Sequence, residues 1–448
     1  MPPDEMINLC KSTRAQRTEI LNEIKKNAKI RATDTNIISG ESKMLPKGFK
    51  VGGVRSGISK KKDKKDLALF ISDVPADAAG MFTNCVAKAA PVLVDIEKMR
   101  KGGKFSAVIA NSGCANACTG ARGKKDAEMM CASTENFFGL KKNSVLCAST
   151  GVIGQYINID GKKMQNSLAG LKKNTGTSPK NEEEAVLSIM TTDTFVKKTS
   201  AKIKTAKGEI RIWGCVKGAG MIHPDMRGLS AKQLHATMLS FILTDAEVSS
   251  KTLQKMLERS VDQSYHCVSV DGDTSTNDTV IVLANGQSMT GKLSNQDLEK
   301  FSAALDSVTL TLAKLIAKDG EGATKFVEIE VKNAKTKQDA KKIGATVATS
   351  PLFKTAMFGA DANWGRVIAA AGRAGVNFDA GKVDIHMGGL LTFKNGAALN
   401  FSESKAKKAL LKKEVKVVID LKSGKASSKY YTCDFSYDYV KINGDYRS

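Results

Sequence analysis

Lys217-Gly218-Ala219-Gly220-Met221-Ile222-His223-Pro224-Asp225-Met226, followed by Ala236-Thr237-Met238-Leu239, is the most informative stretch of the chain. A small residue before a threonine means little alone. A glycine-rich basic segment just upstream gives it chemical interest. A threonine hydroxyl is a poor nucleophile at neutral pH and needs a base. A threonine at a chain's N-terminus carries its own, because an α-amino group titrates at about 7.7–8.0. A cut between Ala236 and Thr237 would create that amine. The cut itself would be an attack of the Thr237 hydroxyl on the preceding carbonyl, giving an ester that water hydrolyses.

Outward from this stretch, strand and helix signals alternate. Strands are expected at Leu67–Ser72, Ser106–Ala110, Glu209–Val216 and Phe326–Val331. Helices are expected over Lys125–Phe138 and Glu182–Met190, and over Leu298–Lys318 with Gly320 ending it. Ser250 is a candidate N-cap, with Leu253, Met256, Leu257 and Val261 on one face of the helix that follows. Val415–Leu421 and Lys429–Phe435 flank a Ser-Gly-rich turn, the pattern of a hairpin. The sum is an α/β protein of several layers, without internal repeats. Residues 1–45 differ: they are polar, with one candidate helix from Arg14 to Lys26, and read as an extension or targeting segment. Pro46-Lys47-Gly48-Phe49 opens the globular part.

The bulk numbers narrow the function classes. At 448 residues the chain can bury a large core, and 42% apolar with 26% charged residues fits an ordinary globular protein. No apolar run approaches the roughly 18 residues that span a bilayer. The net charge of +23 invites a nucleic-acid reading. Aromatic residues are only 6%, however, and the lysines are scattered rather than set between stacking rings, so that partner is not expected. Such charge also bears on solubility or on an anionic substrate. The nine cysteines form no disulfide framework and no zinc spacing, and read as free thiols of an intracellular protein. Asp271, Asp273 and Asp278 lack the closing glutamate of a calcium loop and read as a hydrogen-bonded loop near the site. No metal is expected. His223 and His235 flank the cleavage region and read as structural or exposed, since the α-amine already serves as base.

The motifs resemble those of the ornithine acetyltransferase (glutamate N-acetyltransferase) family. The family carries a KG-small-GMI-x-P-x-M segment leading to an ATML cleavage site. Ser112-Gly113 with Ala115–Gly120 looks like its NSG-x-ANACTG motif, and Ser149–Gly154 like STGVIG. Thr191–Thr194 matches TTDT, and Asp271–Thr279 matches DGDTSTNDT. Asp319–Thr324, Asp361–Arg366 and the closing Tyr439–Asn443 match as well, all in order from Pro46 to Ser448.

The resemblance implies a layered α/β sandwich that cuts itself into two chains, 46–236 and 237–448, with Thr237 as nucleophile. It assigns the oxyanion donors to Thr150 and Gly151, chemically apt as a hydroxyl beside a glycine N–H. For substrate binding it points to Thr191, Lys217, Thr237, Glu321, Asn443 and Ser448. Lys217, Asn443 and Ser448 suit a carboxylate; Glu321 suits an ammonium. The last residue is threonine in family members, and Ser448 keeps its hydroxyl. The implied reaction moves an acetyl group from N2-acetylornithine to glutamate by a ping-pong route in arginine biosynthesis. No bound cofactor is implied, though some members use acetyl-CoA as a second donor. The implied assembly is two copies of each fragment.

One departure stands at the cut. Arg227–His235 separates Met226 from Ala236, where the family runs almost directly from one motif to the other. The basic charge and the extension are compatible with a mitochondrial matrix protein, with cytoplasm or plastid as alternatives. Two other readings stay open: a related N-terminal-nucleophile aminopeptidase or amidase, and a non-catalytic basic protein that keeps the fold and binds nucleic acid.

Overall fold

The computed structural model describes residues 35–37, 45–224, 226–229 and 238–445; the expected helix at Arg14–Lys26 lies outside them. The strands, in chain order, are β1 (Thr35–Ile37), β2 (Phe49–Val54), β3 (Leu67–Thr83), β4 (Phe105–Cys114), β5 (Val145–Val152), β6 (Lys197–Thr205), β7 (Gly208–Lys217) and β8 (Met226–Arg227). They continue as β9 (Leu239–Thr244), β10 (Thr279–Ala284), β11 (Phe326–Ala334), β12 (Asp384–Met387), β13 (Leu390–Lys394), β14 (Ala397–Ala398), β15 (Glu414–Asp420) and β16 (Ala426–Cys433). A 10-stranded sheet has the order β1-β6-β7-β9-β10-β3-β4-β5, with β2 and β8 also paired to β3. A 6-stranded sheet has the order β14-β13-β12-β15-β11-β16. With helices layered on both, this is the expected α/β class. The expected N-terminal extension supplies β1, an edge strand on β6.

The large sheet is centred on β9 and β10, which are parallel to each other and flanked by antiparallel β7 and β3. Both are buried on both faces, so neither shows a polar face, and apolar residues dominate them with only Ser240, Thr244 and Thr279 polar. Leu239, Phe241 and Leu243 join Ile281, Leu283, Phe70 and Trp213 under Val186 and Ile189 of the helix Pro179–Ile189. On the other face Ile242, Val280 and Val282 meet Leu253 and Leu257 of the helix Ser250–Asp262. Phe301, Leu305 and Leu312 of the helix Asn295–Lys318 complete that layer. Each such side chain contributes about 1.5–3 kcal/mol on burial. Phe241→Ala would open a hole beside Phe70, whose ring centroid is 4.7 Å away, at a cost of about 3–5 kcal/mol.

Two local expectations need correction. The N-cap of the helix Ser250–Asp262 is Ser249, whose side chain accepts from the Thr252 N–H. Ser250 is already helical, and its hydroxyl is committed to Asp77, 2.9 Å away. The expected hairpin is not one: β15 and β16 both pair with β11, which lies between them. The Ser-Gly loop instead crosses the end of β11, where Leu421 N–H donates to Lys332 and Ser423 N–H to Asn333. Two strands and a glycine turn look the same in sequence whether or not a third strand intervenes.

Candidate active site

Four chain turns converge where β5, β7 and β9 meet. The end of β5 carries Thr150 and Gly151, paired with Ser112 and Gly113 of β4. Gly151 has φ +132°, and a Cβ there would lie 2.4 Å from the Gly113 carbonyl carbon. Only glycine fits. Asn277 ties this strand end to the neighbouring turn, its amide donating to the carbonyls of Ala115 (2.6 Å) and Ser149 (2.8 Å).

The end of β7 carries Lys217, opposite Leu239 of β9. Its ammonium is 3.3 Å from Thr150 Oγ1 and the residue is 3% exposed. Burial pushes the Lys217 amine down; Asp193 pulls it back up, and Lys197 opposes that. Met238, fully buried, leads into β9 with its carbonyl accepting the Thr279 N–H at 2.9 Å. Ala236, Thr237 and Ser448 lie outside the described residues.

Thr191 and Glu321 sit on two further turns, held by a buried charge cluster. Lys197 Nζ pairs with Asp193 at 2.6 Å and also with Asp319, all three side chains being essentially solvent-free. Asp193 accepts the N–H groups of Thr191 (2.9 Å) and Gly218 (2.7 Å) as well. Asp319 accepts the Thr194 N–H at 3.0 Å. One ammonium thus locks together the turns that present Thr191, Lys217 and Glu321. Burial alone would raise Asp193, but Lys197 and Lys217 overcome it and hold this carboxyl below the usual range. Asp319 is less well compensated, and burial leaves it raised.

Glu321 is 8% exposed, and its backbone N–H donates to the Ala219 carbonyl at 2.8 Å. Its carboxylate lies against Gly220, where a Cβ would come within 2.1 Å of Oε2. The Asn443 amide, from the last described helix Tyr437–Asp445, donates to the same Oε2 at 2.9 Å. Asp271 fixes the loop beneath by accepting from Met221 (2.6 Å) and Ile222 (2.8 Å). Burial pushes its carboxyl up to about 6.

These turns enclose a cavity of about 330 Å³. Its lining includes Thr150, Gly151, Thr191, Lys217, Glu321 and Asn443, every one of the expected site residues that is described. The volume suits a small amino-acid derivative. A larger cavity of about 590 Å³ is lined by His223, Asp262, His266 and Tyr430 among others, and contains none of those residues. Among the described residues no group of His, Cys, Asp or Glu is arranged to hold a metal, and their eight cysteines are free thiols. No described helix is long and apolar enough to cross a membrane.

Sequence reasoning missed Asp193, Lys197 and Asp319 as a unit. Asp193 and Asp319 lay inside quoted motifs, but nothing in the sequence links them to Lys197. It also missed Lys64, which donates to Ser112 Oγ (3.0 Å) and to the Met190 carbonyl beside Thr191. Burial, with Lys217 nearby, pushes that amine down to about 8.

The ArgJ family profile matches residues 50–448. The chain is 44% identical over 412 residues to the arginine biosynthesis bifunctional protein ArgJ of Caldanaerobacter subterraneus, covering 90% of this chain and 98% of that protein. It is 43% identical over 411 residues to the protein of that name from Thermotoga neapolitana, covering 90% and 100%. A solved structure of arginine biosynthesis bifunctional protein argJ from Bacillus halodurans is 41% identical with a TM-score of 0.46. That match covers 47% of this chain and 100% of the other.

Proposed function

The chain belongs to the ArgJ family, and on that premise we propose that it moves an acetyl group from N2-acetylornithine to glutamate through an acetyl-Thr237 intermediate. It is an acyltransferase of arginine biosynthesis. The observation that carries the reading is the convergence of Thr150, Gly151, Lys217, Glu321 and Asn443 on one cavity.

The chemistry follows from these groups. Cleavage between Ala236 and Thr237 frees an α-amine that takes the proton of the Thr237 hydroxyl. The oxygen attacks the acetyl carbonyl, and the developing oxyanion is met by the Thr150 hydroxyl and the Gly151 N–H. A hydroxyl has one proton to give. Because Lys217 donates to Thr150 Oγ1, that proton stays free for the oxyanion. Two such donors, held rigidly, are each worth about 10²–10³ in rate. The amine then returns its proton to the leaving nitrogen of ornithine. Glutamate enters the same cavity and reverses the steps, leaving as N-acetylglutamate. Lys217, with Thr191, Asn443 and Ser448, holds a substrate carboxylate, and Glu321 faces an ammonium. Nothing but the two fragments is needed as cofactor, and acetyl-CoA is a further acetyl donor to test.

The protein works as two copies of each fragment, 46–236 and 237–448, in the mitochondrial matrix, with the first 45 residues as address. Analytical ultracentrifugation of the recombinant full-length protein should give twice its 47.9 kDa chain mass, and a fluorescent fusion should colocalise with mitochondria only when those residues are kept. Incubation with N2-acetylornithine tests the reaction. Ornithine release that depends on glutamate, with N-acetylglutamate formed in equal amount, supports it. Release at the same rate without glutamate would make the protein a hydrolase instead.

A further inference from the structure

Acidic residues are outnumbered in this chain, 46 against 69 Lys and Arg, so a carboxylate lacking a basic partner is notable. Two of them line the same cavity. Glu321, although buried, makes no direct ion pair among the described residues: its carboxylate accepts from the Asn443 amide, and its charge reaches Lys217 only through space. Asp273 is exposed at the cavity's edge. Its backbone N–H is fixed on Asp271 Oδ1 at 3.2 Å, while its carboxylate has no partner among the described residues. The fields of Asp271, Asp273 and Glu321 all reach Tyr439, which burial first and then these charges keep a neutral phenol. Asp271 is different in kind, since its oxygens are already taken by backbone N–H groups. Against these stands Lys217, the cavity's one basic lining residue among those described.

The proposed reaction sends two unlike amino acids through this space. The donor carries a cationic side chain and the acceptor an anionic one. Each has a carboxylate for Lys217, so discrimination must come from the rest of the lining. We infer that Asp273 is a specificity-determining residue: its unpaired carboxylate draws the cationic side chain of the donor into the cavity and opposes the anionic side chain of the acceptor. This rests on the acetyl-transfer reading. Its mechanism is a through-space field at the mouth of the cavity, where a single charge shifts binding of a nearby charged ligand severalfold. Backbone pairing of the loop does not depend on the Asp273 side chain, so Asp273→Asn should change the field and keep the fold.

The test is Asp273→Asn, with steady-state constants measured separately for N2-acetylornithine and for glutamate. The KM for N2-acetylornithine should rise about three- to tenfold and that for glutamate should fall by a similar factor. A purely structural role would move both the same way. Equal or parallel changes, or no change in either, overturn the inference. Calorimetric titration of wild type and variant with ornithine and with glutamate reads the same preference without turnover. If the wild type transfers no acetyl group, the functional reading fails. Opposite shifts in these two affinities would still support the role of Asp273, and unchanged affinities would end it.

Discussion

Replacing Lys197 with methionine should uncouple the active-site turns from one another. The lysine is 0% exposed and pairs with both Asp193 and Asp319. Methionine fills much of the volume but leaves two buried carboxyls without their common cation. Breaking a buried pair by deleting one partner costs about 3–5 kcal/mol. The pH dependence gives the sign. In the wild type Asp193 is held below its usual value, so its contribution is present above the unfolded value of about 3.9 and is lost only as pH falls through the lower folded value. In the variant burial dominates and both carboxyls rise. Stability is then lost as pH climbs through about 4 and above. The gap between the two proteins should therefore be widest at pH 7–8 and shrink toward pH 4. Equilibrium urea denaturation at pH 5 and pH 7.5 reads this directly. A loss below about 1 kcal/mol at pH 7.5, or an equal loss at both pH values, would refute the view that this ion cluster holds the site together.

Other substitutions address single parts of the cavity. Thr150→Ala removes one oxyanion donor, and with it the hydroxyl that accepts from buried Lys217, and should lower kcat about 10²–10³-fold in a steady-state acetyl-transfer assay. Gly220→Ala puts a methyl group 2.1 Å from Glu321 Oε2, so the carboxylate must turn away. The KM for N2-acetylornithine should rise roughly tenfold, the scale of one lost charge-assisted hydrogen bond. Asp278 is fully buried with neither oxygen partnered among the described residues, and burial raises its carboxyl far above the usual value. A raised folded value costs stability as pH climbs above about 3.9. Asp278→Asn should match wild type near pH 3.5 and be more stable at pH 7, as measured by denaturant midpoint.

Of the large sheet, Leu67–Ser72, Ser106–Ala110 and Glu209–Val216 were legible as strands, whereas the central β9 (Leu239–Thr244) and β10 (Thr279–Ala284) were not named, because strands buried on both faces lack the alternation that marks a strand. The cavity residues were legible for a different reason: they sit in motifs carried by family resemblance, and spacing alone would have left Ser149–Gly154 an ordinary turn. What stayed hidden is long-range. β3 runs on past Ser72 through Pro75 because a register shift between Ile71 and Ala76 loops out the residues between them before β3 pairs again with the start of β4, Ala76 opposite Phe105. It then continues beside β10 through Asp77–Phe82. A proline without an N–H is tolerated at such an irregularity, yet in sequence it reads as the strand's end. Lys197 and Asp319 likewise meet only because the fold brings the start of β6 to the end of the helix Asn295–Lys318. The hairpin expected from 415 to 435 failed for the same reason, since β11 enters from far upstream.

Mass spectrometry of the purified protein, incubated with N2-acetylornithine and no glutamate, bears most directly on Thr237. A fragment beginning at Thr237 that gains the mass of one acetyl group, and loses it when glutamate is added, is the expected result. Thr237→Ala should give one uncut, unmodified chain. A wild-type chain that stays whole, or a fragment that starts at Thr237 and never carries the acetyl group, would contradict the account.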